Sequence, residues 1–466
     1  IANCLVGSEM CIRDRLHSGR FMQALASRLE FFFVGIRYSN DSQTMQNKSD
    51  VVITGVGVIS PIGIGADNFW HALLEGENGI RPIDLFDAHG LTVRFGGQVP
   101  SFDPKLYVRP RKSLKVMSRD IQFGFAAADL AMADAGVASE RVDPERFGVV
   151  FGNDMIYADL DDLETTYRRA KTADGTFSYD QWSEAIQEEL QPLWLLKHLP
   201  NMTASHIAIA QDARGPNNTI VLGDVSSLLA VSEAVSVIQR GWADIMLAGG
   251  TGSRLHPTAL VARGNASLSK RGDDFESACR PFDLHRDGLV NGEGAAVLVL
   301  ESREHAEKRG AQIRGRILAT AACCEPRKQE KLPAGRGVEM ALRTVLKQAG
   351  LGTDNLGHIN AHGLSTGPMD AAEAQAIAAV VGETPVTAPK SNFGHAGAGS
   401  GLMELAASVL AVESGTIPPT RNYETPDPAC PIQVIHETPM EGRPRTAITV
   451  NFSTMGQASA VAITAD

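Results

Sequence analysis

From Val51 onward the chain repeats one pattern: a short apolar run rich in β-branched residues, a glycine turn, then a stretch with helical spacing. That alternation restricts the chain to layered α/β architectures whose strands are covered on both faces. Val51-Val-Ile-Thr-Gly-Val-Gly-Val-Ile59 is almost wholly apolar, as a strand buried on both faces would be. Phe123 to Gly136 reads as a helix of small residues ended by glycine, suited to close packing. Phe147 to Gly152 and Asp244 to Gly250 read as further buried strands, and Ala295 to Glu301 as another edge of the first half. A second round starts at Gln312 to Ala319 and closes with Thr446 to Asn451 and Ala458 to Ile463. The alternation predicts a mainly parallel sheet in each half. Periodicity alone does not show that the halves duplicate one another.

Composition removes several function classes. The 466 residues carry a formal net charge of −11, which excludes broad electrostatic binding to nucleic acid or to an anionic membrane. No apolar run approaches the ~20 residues of a membrane span. The six cysteines (Cys4, Cys11, Cys279, Cys323, Cys324 and Cys430) show no paired spacing of the metal or disulfide type. The expectation is a cytoplasmic protein with no metal. Residues 1–44 are read separately. Leu5 to Arg15 looks like the translated frame of a sequencing adapter, so a non-native leader is expected, with native sequence starting near Met45. A signal peptide is the competing reading for Phe31 to Ile36, but Glu30 and Arg37 bound that run and no small-residue cleavage site follows.

One segment carries most of the chemistry: Gly215-Pro-Asn-Asn-Thr-Ile-Val-Leu-Gly-Asp224-Val-Ser-Ser, a strand ending in a sharp turn before a helix. It resembles the nucleophile elbow of the β-ketoacyl-acyl-carrier-protein synthases, the condensing enzymes of fatty-acid and polyketide synthesis. There the residue at the turn is cysteine; here it is Asp224. The resemblance extends through Val52 to Gly63, Arg280 to Gly294, Ala361 to Thr366, Lys390 to His395 and Ile417 to Thr420. It implies a thiolase fold, two stacked βαβ-type halves (residues 50–302 and 312–466) in a five-layer αβαβα sandwich. It also implies a dimer, with itself or with a cysteine-bearing synthase, and an acyl carrier protein as partner. No cofactor is expected, since the phosphopantetheine arm arrives on that carrier.

In such enzymes a thiolate takes the acyl group, two histidines stabilise an enolate oxygen and backbone N–H groups hold the oxyanion. By resemblance the histidines are His362 and His395, and Lys390 is the lysine five residues before the second. Glu373 falls on the acidic residue that orders the lysine, the oxyanion donors are the N–H groups of Asp224 and Met455, and Leu364 and Thr366 flank the pantetheine arm. Glu293 reads as structural, and Ser226, Ser227 and Cys279 are not evident substitutes for the missing thiol. The basic residues Arg109, Arg111, Lys112, Lys115 and Arg119 read either as a solvated face or as a docking patch for an acidic carrier.

Three departures bear on activity. Asp224 replaces the nucleophile, Met455 stands where a gating phenylalanine is expected, and Leu364 replaces a threonine. A carboxylate is a poor acyl acceptor from a thioester, because it would form a more reactive anhydride. Three readings follow. The chain is an enzyme on carrier-bound acyl or malonyl thioesters without Cys-dependent condensation, a chain-length-factor-like partner of an active synthase, or an acyl-binding scaffold.

Overall fold

A computed structural model describes residues 49–262, 267–326 and 332–466. The expected leader over residues 1–44 lies outside the described residues.

Ten strands build the frame. The first half contributes β1 (Val51–Ser60), β2 (Phe147–Asn153), β3 (Asn217–Val221), β4 (Ile245–Ser253) and β5 (Glu293–Ser302). The second contributes β6 (Gly315–Cys324), β7 (His358–Asn360), β8 (Pro385–Thr387), β9 (Thr446–Phe452) and β10 (Gln457–Thr464). The spatial order is β3-β2-β4-β5-β1 in one half and β8-β7-β9-β10-β6 in the other. Position for position these are the same permutation, and parallel and antiparallel pairings fall at the same places. The duplication that periodicity could not show is therefore explicit in the topology. A short β1–β6 pairing, Val52 with Arg316 and Ile53 with Gly315, joins the two sheets.

Each sheet is mixed, which corrects the expectation of mainly parallel sheets. β9 turns directly into its antiparallel neighbour β10. The long excursion from β4 to β5 likewise returns to the strand end it left, pairing Ser253 with Glu293. Neither connection is the crossover that parallel strands need. β5 is not an edge either: it lies between β1 and β4 with nearly every residue buried.

Five helices define the layers: α1 (Arg119–Asp134), α2 (Ser226–Gln239), α3 (Arg336–Ala349), α4 (Gly367–Val381) and α5 (Ser400–Ser414). α2 and α5 share one apolar core with strands of both sheets, through Leu228, Val231, Leu402, Leu405, Leu298 and Val461. α1 packs on the other face of the first sheet through Ile121 and Phe123. α3 and α4 cover the second sheet through Val338, Leu342 and Ile377. The result is α-β-α-β-α. A helix in the middle layer has no solvent face, and α5 is buried without interruption from Ser400 to Val412.

The small residues of α1 serve the close approach the sequence suggested. Gly57 of β1 faces Ala127 and Ala131 so tightly that a Cβ there would collide with the Ala127 carbonyl oxygen and sit 2.5 Å from the Ala131 nitrogen. Both obstacles are backbone and cannot rotate away. Gly57→Ala is therefore expected to cost about 3 kcal/mol, the upper end for overpacking, with urea unfolding as the measurement. A loss under about 0.5 kcal/mol, the range of neutral surface changes, would show that α1 shifts freely.

Candidate functional site

Two turns, one at the head of each central helix, make the site. After β3, Gly223 takes a φ of 60°, which reverses the chain before α2. The Leu222 N–H donates to Ser226 Oγ at 2.8 Å, fixing the turn. Ser226 is thereby spent structurally, and Ser227 is wholly buried in the first turn of α2. Asp224 projects from this turn with its side chain 12% exposed. After β8, the chain makes one helical turn over Lys390–Phe393, then delivers His395 to the head of α5.

The turns meet at the Asp224 carboxylate. Oδ1 accepts from His395 Nε2 at 3.0 Å and from Arg254 Nη2 at 2.7 Å. The same Arg254 nitrogen lies 3.8 Å from Asp154 Oδ2. Burial would raise the Asp224 carboxyl, but Arg254 and His395 hold it well below the usual carboxylate range. Asp224 is thus an anion at neutral pH and a weak general base. Arg254 follows β4 in a Gly-Ser-Arg run that matches no catalytic pattern, so sequence reasoning missed it.

The histidines are neutral and share a tautomer. Burial and Arg254 push His395 down to about 4. Its Nε2 lies 3.0 Å from the Asp224 carboxylate, which can only accept, so Nε2 carries the proton and Nδ1 is left to accept from Ser400 Oγ at 3.3 Å. His362 is held well below its ordinary value by burial and by Lys390. Its Nδ1 faces two donors, Asn451 Nδ2 at 3.2 Å and Lys390 Nζ at 3.5 Å, which again leaves the proton on Nε2. That Nε2 is buried with no hydrogen-bond partner among the described residues. The two rings stand nearly perpendicular, centroids 5.7 Å apart.

The lysine's partner corrects the sequence reading. Lys390 Nζ is paired with Glu404 of α5, whose other oxygen accepts from Asn451 Nδ2 at 2.6 Å. Glu373 does not touch Lys390. Its carboxylate accepts from the backbone N–H groups of His362 and Gly363 at 2.7 and 2.9 Å, holding the loop that aims His362. Burial raises Glu373 to about 7 and lowers Lys390 to about 8. Glu404 was hidden because it lies inside an otherwise apolar helix, where spacing gives no sign of its partner.

Other expectations are rearranged. The Met455 N–H donates to Ser453 Oγ at 3.2 Å, so the oxyanion pair of Asp224 and Met455 is not assembled in this turn. Leu364 lines the cavity in front of Asp224, while Thr366 is buried, its N–H donating to Asp370 and its hydroxyl lacking a hydrogen-bond partner among the described residues. Arg119 leaves the basic patch. It forms an ion pair with fully buried Glu293 at 2.5 Å and lies over the Phe123 ring. Arg109, Arg111, Lys112 and Lys115 remain exposed. Cys279 cannot replace the thiol, because it donates to the Lys390 carbonyl at 3.2 Å and burial pushes it up to about 12. Among the described residues no cluster has metal-site geometry, and no helix is long and apolar enough to cross a membrane.

Two tests follow. Glu404→Ala leaves the buried Lys390 charge uncompensated and is expected to cost about 3–5 kcal/mol, against a smaller loss for Glu373→Gln. Equal losses in urea unfolding would contradict the pairing. Asp224, with its carboxyl depressed in the fold, contributes stability above its unfolded pKa of about 3.9. That contribution disappears as pH falls through the folded value. Asp224→Asn should therefore be less stable at pH 7 and show a shallower acid limb in thermal unfolding. An unchanged limb would remove Asp224 as an ionised partner.

Known proteins place this geometry. The Beta-ketoacyl synthase, N-terminal domain, pattern matches residues 48–306, and its C-terminal domain counterpart matches residues 314–424. The chain is 36% identical over 394 residues to a 3-oxoacyl-[acyl-carrier-protein] synthase 2 of Synechocystis sp., covering 83% of this chain and 91% of that one. Two solved structures share the fold over 90% of this chain and 100% of theirs. One is the ishigamide ketosynthase/chain length factor, with TM-score 0.78 and 28% identity. The other is a type II PKS acyl-carrier protein in complex with its ketosynthase, with TM-score 0.77 and 30% identity. With both halves of the family pattern matched in order on a duplicated thiolase-type frame, the chain belongs to the beta-ketoacyl synthase family.

Proposed function

We propose that this protein binds acyl thioesters borne by an acyl carrier protein in fatty-acid or polyketide synthesis, and does so without Cys-dependent condensation. The observation that carries this reading is the Asp224–Arg254 ion pair at the nucleophile position, with neutral His395 on the same carboxylate oxygen. A carboxylate pinned by a guanidinium and an imidazole N–H is a poor acyl acceptor and, near neutral pH, a weak base. The rest of the apparatus suits a thioester. His362 offers a buried Nε2–H to a carbonyl, and the Lys390–Glu404–Asn451 group fixes its ring. The carrier's phosphopantetheine arm would pass Leu364 and Thr366, so no resident cofactor is required. The four exposed cations Arg109, Arg111, Lys112 and Lys115 suit docking of an acidic carrier in the cytoplasm.

A second reading, a partner subunit of an active synthase, is favoured by one feature. Strand β3 has a neighbour on one side only among the described strands, and Val221, Leu222 and Ile209 beside it are exposed. An open edge flanked by apolar side chains suits pairing with another chain, a second copy or a cysteine-bearing relative.

The deciding experiment incubates the protein with acyl- and malonyl-carrier protein and follows intact mass. The parent should bind without gaining mass. Asp224→Cys should gain the acyl mass, because Arg254, His395 and the α2 N-terminus all stabilise a thiolate there. Acylation of the parent would sink the proposal.

A further inference from the structure

A carboxylate at position 224 threatens the charge state of His395. An imidazole that donates to a carboxylate is drawn towards its imidazolium form, and Asp224 Oδ1 lies 3.0 Å from His395 Nε2. Burial of the ring opposes that charge. So does Arg254, whose Nη2 reaches the same oxygen at 2.7 Å and sets a permanent cation beside the ring.

The other groups around His395 leave the balance to these two residues. His362, from the loop after β7, faces it with ring centroids 5.7 Å apart and is itself neutral. Lys390, from the loop that carries His395, adds a smaller repulsion than Arg254 and is matched by Glu404 of α5. Ser400, at the head of α5, offers Nδ1 an uncharged hydroxyl at 3.3 Å. Asp154, after β2, lies 3.8 Å from the Arg254 nitrogen.

Arg254 reaches its place because a side chain is missing. Gly397, two residues after His395, takes a φ of 59°. A Cβ there would lie 2.8 Å from Arg254 Nε and 3.4 Å from Nη2. The guanidinium thus rests on the very turn that carries His395. Because the obstacle is a side chain and not backbone, an added methyl would push Arg254 aside.

We propose that Arg254 is a positioning residue which, seated on Gly397, lets Asp224 stand against His395 while the ring stays a neutral N–H donor. Asp224, Arg254 and Gly397 then form one unit: the cation compensates the carboxylate, and the glycine admits the cation. The inference goes beyond the carrier-thioester reading and is independent of it, since it concerns the ionisation of the site with no ligand bound.

The test follows the His395 imidazole by NMR of histidine-labelled full chain between pH 5 and 8, its signal identified by its loss in His395→Gln. The parent ring should be neutral throughout, being pushed down to about 4. Removing the adjacent cation favours the protonated ring. Arg254→Met should therefore raise its proton affinity about a hundredfold, to a midpoint of about 6. Arg254→Lys keeps the charge and should keep the ring neutral at that pH. Adding Asp224→Asn to Arg254→Met removes the group that draws the proton and should restore a neutral ring. Gly397→Ala displaces the guanidinium and should raise the midpoint by less; it carries the test if the Arg254 variants do not fold. A neutral ring at pH 6 in Arg254→Met, or equal midpoints in the Met and Lys variants, overturns the proposal. So does a Gly397→Ala midpoint equal to that of the parent.

Discussion

The site depends on how closely the two central helices approach the strands around them. A Cβ on Gly250 of β4 would collide with the Ser227 side chain at the head of α2. One on Gly401, at the head of α5, would collide with Asn451 and lie 2.6 Å from the same serine's Oγ. Absent side chains on β4 and α5 therefore let both helix heads sink into the middle layer side by side. Because α2 and α5 occupy equivalent places in the duplicated halves, their preceding turns converge. Asp224 and His395, far apart in sequence, meet at 3.0 Å for this reason. Packing at crystal-like density leaves little room to adjust, so the turn residues inherit their geometry from the layer beneath them.

What occupies those turns then decides the chemistry. A helix N-terminus favours an anion, whether thiolate or carboxylate. A cysteine there is anionic only in part and becomes a nucleophile. An aspartate is anionic throughout and attracts a permanent counter-ion, which Arg254 supplies from the end of β4. The same electrostatics that activates a thiol locks a carboxylate. Burial cannot rescue its basicity, since Arg254 and His395 outweigh desolvation.

Strand and helix positions were legible because apolar periodicity reports burial directly. β1, β2, β4, β9 and β10 lie where the apolar runs put them, and α1 packs through the small residues that suggested it. Strand direction was not legible, since an excursion that returns to its starting end looks in sequence like a crossover. The histidines and Lys390 could be placed because they sit in glycine-bounded turns with a recognisable order. Their partners could not. Glu404 is an acid in a buried helix, Arg254 is one basic residue after a strand, and neither spacing says which charge it faces. Arg119 shows the converse: five cations in one stretch suggested a single face, yet its chain turns inward to Glu293. Charge runs give composition, while the direction of each side chain is set by tertiary packing.

The two halves contribute unequally to what is altered. The second half supplies His362, Lys390, Glu404 and Asn451, a connected and buried polar group, and His395 beside it. Such a group is costly, because a buried ion pair rarely stabilises more than apolar residues of the same volume would. Stability does not account for it; orientation does, since Lys390 Nζ and Asn451 Nδ2, both held by Glu404, also face His362 Nδ1 and leave its Nε2–H outside the network. The first half supplies Asp224 and Arg254, which neutralise one another where a nucleophile would stand. A polar network that leaves one buried N–H without a partner among the described residues, beside a turn without the nucleophilic cysteine, is what the proposed holding of a carrier-borne thioester calls for.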